Sequence, residues 1–120
     1  MAQAFQDLVV WQRAMEMTIS IYRLTRSFPN DEKYGLTSQL RRAAVSVASN
    51  IAEGRGRNTE GEFRQFLGLA QGSNYEVQTQ ILVATRLEMG QPELLREAQN
   101  LSVEVGKMLS SLIAALEAKS

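Results

Sequence analysis

Four apolar seams, each repeating at alternating spacings of three and four residues, constrain this chain more than any other feature in it. In the first, Val10, Ala14, Met17, Ile21, Leu24 and Phe28 recur at that spacing. A turn of about 3.6 residues returns every third or fourth side chain to the same face of a helix. A second strip, Leu8, Trp11, Met15, Ile19 and Tyr22, lies beside the first and makes the apolar face wider than one neighbour needs. The spacing predicts a helix over residues 7–27. "FPND" ends it, because a proline disfavours helical geometry in the residue before it.

The next helix is expected over 35–53. At about 100° per residue, Leu36, Leu40, Ala43, Ala44, Val47 and Ile51 share one sector. Val45, Ala48 and Ala52 form a second strip of small side chains, and Gly54 stands where a left-handed C-terminal cap is expected. The third helix, over 59–89, opens with Thr59 and Glu62 at capping-box spacing and continues through Phe63, Phe66, Ala70, Val77, Ile81 and Ala84. Gly68, Gly72, Ser73 and Asn74 lower its intrinsic propensity, so packing must hold it. "MGQPEL" breaks the chain before a fourth helix, over 92–119, with the seam Leu94, Ala98, Leu101, Val105, Met108, Leu112 and Ala115. Short connections join helices that run in opposite directions. The expected fold class is therefore all-α: a single domain, 1–120, built as an antiparallel up-down four-helix bundle.

Several function classes fall away on composition. The chain has no histidine and no cysteine, which removes the usual general bases, thiol nucleophiles, disulfides and thiolate metal sites. Glu60, Glu62, Glu76, Glu88, Glu97 and Glu104 fall mostly outside the seams, and "GRGRNTEGE" lacks the Lys-Ser/Thr end of a Walker loop. No enzymatic activity, cofactor or metal is expected. The opening residues lack the charged start and apolar run of a signal peptide, and "AAVSVASNIA" is too short to span a bilayer. A cytoplasmic protein without membrane contact is the reading that fits. Net charge is zero, yet residues 1–58 carry eight basic and five acidic groups and residues 59–120 the reverse. That division suits attraction between helices or subunits better than dedicated nucleic-acid binding.

"FQDLVVWQRA" (5–14), "YGLTSQLRRAAVSVASNIAEG" (34–54), "EFRQFLGLAQGS" (62–73) and "TQILVA" (79–84) resemble the four-helix-bundle proteins encoded by intervening sequences in large-subunit (23S) rRNA genes. Accessory variability proteins of diversity-generating retroelements are related to them. The resemblance implies a barrel-like homopentamer and, for the retroelement branch, binding to a reverse transcriptase and to nucleic acid. Ala48 stands where the family often has proline, which implies a straighter second helix here. Gln78 stands where an acidic residue is common. The zero net charge sets this chain apart from the strongly basic retroelement branch.

Three roles are expected of the polar and small residues around the second helix. Asn50, at the edge of its apolar sector, is a structural polar group that fixes helix register. Trp11, Met15, Tyr22, Val45, Ala48, Ala52 and Glu53 are candidates for a subunit interface, since apolar surface on a second side of a helix otherwise stays in water. Arg41, Arg42, Arg55, Arg57 and Arg64 are candidates for a weak, salt-sensitive contact with RNA through its phosphates. The expected function is that of a homo-oligomeric adaptor for RNA or protein. The alternative is a purely structural protein–protein module whose arginines serve subunit contacts.

Overall fold

The computed structural model describes residues 4–119, and no strand occurs among them. A 3₁₀ turn over Phe5–Asp7 leads into α1 (Val9–Thr25), and a second over Asn30–Glu32 precedes α2 (Leu36–Arg55). The long helices α3 (Glu60–Arg86) and α4 (Pro92–Ala118) complete the chain. Thr59 caps α3 as its spacing predicts, its hydroxyl accepting from the Glu62 amide at 3.1 Å. Pro92 opens α4, where a proline has no helical amide bond to lose.

The molecule measures 46 × 20 × 20 Å, a rod two helices across. Among the described residues, α1 packs on α2 and α4, and α3 packs on the same two, while the Cα atoms of the diagonal pairs stay more than 8 Å apart. Individual contacts fix the levels of the helices. Between α1 and α2, the Thr18 hydroxyl donates to the Ala44 carbonyl at 3.2 Å, and Arg41 donates to the Thr25 hydroxyl at 2.8 Å. Ser46 and Ser73 share a hydrogen bond of 2.9 Å between α2 and α3. Asn74 meets Ser102 between α3 and α4, and Arg13 meets Glu104 at 3.2 Å between α1 and α4.

The first seam is buried from Val10 to Phe28, and on α2 Leu40, Ala43, Ala44, Val47 and Ile51 join it. Ala48 is buried with them, inside the subunit rather than on the outer strip expected for it. On α4 the core line keeps Ala98 and Val105 of the expected seam and is offset by one position at the other levels. Leu95, Ala98, Ser102, Val105, Leu109 and Leu116 are buried. Leu94, Leu101, Met108 and Leu112 are half-buried along its edge, and Ala115 is exposed. The offset has a polar cause: Ser102 belongs to the core line because Asn74 of α3 needs its hydroxyl and carbonyl.

Gly54 also differs from expectation. The helix runs through it to Arg55, and the residue after the helix, Gly56, keeps ordinary right-handed geometry at φ −81°. Gly54 is instead a point of close approach. A Cβ built there would lie 2.6 Å from Phe66 Cβ and 3.3 Å from the Phe63 carbonyl oxygen. The missing side chain lets the ends of α2 and α3 touch.

Candidate functional site

The five arginines expected to form one surface divide into two groups. Arg41 and Arg42 stand in the first half of α2, and Arg55 closes it. Fourteen residues at about 1.5 Å each put the groups roughly 21 Å apart. Arg41 is already engaged: besides its bond to Thr25, its guanidinium lies 4.5 Å from the centre of the Tyr22 ring. Arg42 is exposed and lines a polar groove between α2 and α3 with Gln39, Ser46, Ser73, Glu76 and Gln80.

At the other end, Arg55 stacks over Phe63 and Arg57 over Phe66, at 5.7 and 4.7 Å from the ring centres. Arg57 also donates to the Glu53 carboxylate at 3.0 Å, so the contact made by Glu53 lies within its own subunit. Arg64 stands half-buried one turn into α3. Glu53, Glu60 and Glu62 share this corner with Arg55, Arg57 and Arg64, which leaves it close to neutral. The basic excess of the first half lies instead around the α1–α2 connection. Arg23, Arg26, Lys33, Arg41 and Arg42 have only Asp31 and Glu32 near them in sequence, while in space Arg23 shares a depression with Glu97 and Glu104 and Arg42 a groove with Glu76. Tyr34, in the same connection, is 88% exposed with the Lys33 ammonium 5.5 Å from its ring centre. Motif reading missed Tyr34; an aromatic residue in a polar turn with a cationic neighbour was the available signal.

Asn50 bonds within its own helix, to the Ser46 carbonyl at 2.8 Å and its hydroxyl at 3.0 Å. Through Ser46 it reaches Ser73 of α3, so it supports a link between helices from one step back. The buried asparagine of this protein is Asn74, with no exposed surface, which exchanges hydrogen bonds with Ser102.

Of the expected interface residues, Met15, Tyr22 and Val45 are exposed at 37%, 38% and 42%. Ile19, between Met15 and Tyr22 on the same stripe, is exposed at 48%. Ala52 is half-buried, and so is Trp11, which packs edge-on against Phe5 at 5.3 Å and borders the core. Between α1 and α4, a depression of about 720 Å³ is walled by Met15, Ile19, Leu101 and the carboxylates of Glu16, Glu97 and Glu104. Glu16 first, and then Glu104, push the Arg13 guanidinium above its ordinary pKa. Among the described residues, no group of three carboxylates converges as a metal site would require. The grooves described here are open to solvent and are bordered by apolar ridges and paired charges. No described helix is long and apolar enough to cross a membrane.

The comparisons with known proteins agree with this architecture. No curated protein matches the sequence. A crystal structure of a protein of unknown function from the S23 ribosomal protein family of Bacteroides thetaiotaomicron superposes with a TM-score of 0.80 at 25% identity. The superposition covers 88% of this chain and 98% of that one. The profile of the 23S rRNA-intervening sequence protein family matches residues 6–111, almost the whole of the rod from the first 3₁₀ turn into the last turns of α4. This chain belongs to the 23S rRNA-intervening sequence protein family.

Proposed function

We propose that the protein is a non-enzymatic homo-oligomeric scaffold: an antiparallel up-down bundle whose copies join in a cytoplasmic ring and serve as an adaptor for RNA or protein. The observation that carries this reading is the exposed stripe Met15, Ile19 and Tyr22 on α1, with Val45 nearby on α2. Apolar surface left in water forgoes about 25 cal/mol per Å², and contiguous patches of it usually mark interfaces. The opposed directions of neighbouring helices are supported by contacts whose numbers rise on one helix as they fall on the next. Thr18 meets Ala44 while Thr25 meets Arg41, and Gln71 meets Ser110 while Asn74 meets Ser102. A count of five subunits rests on the family resemblance, as does a reverse transcriptase as partner.

A nucleic-acid surface, where present, is better supported at the α1–α2 connection than at the arginines after α2. Exposed Tyr34, with the Lys33 ammonium 5.5 Å from its ring centre, suits a stacked base with its phosphate neutralised alongside. The structural-module alternative draws its support from Arg41, Arg55 and Arg57, whose guanidinium groups are already stacked within the subunit.

Light scattering at low and high salt, with and without a mixed-sequence RNA, tests the reading. A mass several times the 13.4 kDa of one chain, rising with RNA at low salt only, is the expected outcome. A stable assembly that ignores RNA at both salt concentrations selects the structural module. A single-chain mass overturns the scaffold.

A further inference from the structure

The outer face of α3 carries an apolar surface that no neighbour in the subunit covers. Leu69, Tyr75 and Leu82 are each more than half exposed, with Val83 close behind. Between Arg64 and Arg86 the only charged residue is Glu76. Gly68 and Gly72 lie on the same face, and a Cβ added to either would meet nothing within 4 Å. Inside a helix each glycine costs about 1 kcal/mol relative to alanine, and here no packing within the subunit offsets that cost. The glycines form a trough between larger side chains, where another helix can approach closely.

We infer that this trough receives the Met15–Ile19–Tyr22 stripe of a second copy, so that subunits join head to tail with Met15 of one over Gly72 of the next. The inference rests on the self-assembly reading above and names its two surfaces. Three observations select a second copy as the occupant. The first is shape: the α1 stripe is a ridge of large side chains at spacings of four and three, and the α3 face is a trough floored by glycine. The second is charge. Arg23 and Arg26 lie at the C-terminal end of the ridge, beyond the carboxylates of Glu16, Glu97 and Glu104 that flank Met15 and Ile19, and the trough's single charge is the carboxylate of Glu76.

The third observation is level. Thr18 touches Ala44, and Ser46 touches Ser73, so residue 18 of α1 stands at the height of about residue 75 of α3. Met15 is then level with Gly72, and Tyr22 with Thr79. A rotation without a slide along the rod brings ridge to trough, and only such an operation closes a ring; a slide would generate a filament. Each face borders α2 at one edge and α4 at the other, with Met15 and Ile19 beside Leu101 and Leu82 beside Leu95. Arg41 of α2 covers Tyr22, and the trough shares its wall with Ser46 and Asn50.

The chain has no cysteine of its own, so introduced thiols report unambiguously. The double variant Met15→Cys/Gly72→Cys, oxidised at its assembly concentration, is expected to give a ladder of covalent multimers on non-reducing electrophoresis. Each single variant alone is expected to stay one chain long, and the two mixed after subunit exchange to give covalent dimers only. Gly72→Cys cross-linking to itself would reveal a two-fold α3–α3 contact and overturn the inference. So would a double variant that assembles normally but fails to cross-link. A single-chain mass for the unsubstituted protein removes the self-assembly reading, and the inference with it. As a second test, Gly72→Arg adds a better helix former in open space. Its far-UV spectrum should be unchanged while its mass falls to that of one chain, and an assembly that survives also overturns the inference.

Discussion

Asn74 and Ser102 are both fully buried, and each is the other's partner. The Asn74 amide donates to the Ser102 carbonyl at 2.9 Å, and the Ser102 hydroxyl donates to the Asn74 side-chain oxygen at 2.8 Å. Ser102→Ala strands that oxygen in the core, a cost of about 1–3 kcal/mol. Asn74→Leu costs less through Ser102, whose hydroxyl can turn back to the carbonyl four residues earlier in α4. Replacing both partners leaves nothing stranded and should be close to neutral. The double variant is therefore expected to be more stable than the summed single effects by about 1–2 kcal/mol. At roughly 2.1 cal/mol/K of unfolding entropy per residue, 2 kcal/mol lowers the Tm of this chain by about 8 °C. Urea unfolding followed by far-UV circular dichroism measures all four proteins. Chain concentration must be held fixed, because association makes apparent stability concentration-dependent. Additivity within about 0.5 kcal/mol would show that the two residues do not act as a unit, and the reason given for the offset of the α4 core line would be refuted.

Gly54→Ala gains about 1 kcal/mol of helix propensity but drives a methyl group into Phe66 Cβ and the Phe63 carbonyl, neither of which can swing aside. With overpacking at about 1–3 kcal/mol, the net expectation is a loss of about 1 kcal/mol, and a gain in the same urea titration would contradict the close approach. Arg41→Ala removes the bond to Thr25 and the stack on Tyr22. A loss of about 1–2 kcal/mol is expected, and Arg41→Lys should recover little of it because lysine lacks the planar fork. For RNA binding, Lys33→Glu with Arg42→Glu should lower the slope of log K against log salt by about two, while Arg55→Glu with Arg57→Glu leaves it unchanged. The opposite result in filter binding would move the nucleic-acid surface to the end of α2.

The helices were legible because their signals are local and repeated. The first seam keeps its period through six residues, Thr59 and Glu62 mark an N-terminus by chemistry alone, and Pro92 with Gly90 marks a break. What the spacing did not reveal depends on partners distant in sequence. Gly54 reads as a cap until the phenylalanines of α3 are placed against it. The line Leu94, Leu101, Met108 and Leu112 is more apolar than the true core line through Ser102, and only Asn74, 28 residues away, makes the serine the better choice. The arginines met a related difficulty. Their positions were evident, but the rings of Tyr22, Phe63 and Phe66 against which Arg41, Arg55 and Arg57 stack were not.

The third helix joins these departures into one physical pattern. Its inner side carries Asn74 and Gln71 against Ser102, Gly106 and Ser110, whereas its outer side carries Leu69, Tyr75, Leu82 and Val83. Phe63, Leu67, Ala70, Val77, Ile81 and Ala84 make the rest of the inner side apolar, so the helix carries apolar surface on two sides and a short polar ladder within the inner one. The inner polar pairs contribute register more than net stability, since each hydrogen bond replaces one to water. Gly106 shows how closely that register is set: a Cβ there would stand 3.2 Å from the Asn74 amide nitrogen. A slip of α3 by one turn would strand Asn74 and Gln71 together. It would also shift Gly68 and Gly72 along the rod relative to Met15, Ile19 and Tyr22. The buried polar ladder thus fixes the height of the outer trough, and the assembly proposed above would depend on an interaction that never reaches the surface. Asn74→Leu/Ser102→Ala should accordingly keep most of its folding stability while losing uniformity of assembled mass, a separation that a purely stabilising role for the pair would not produce.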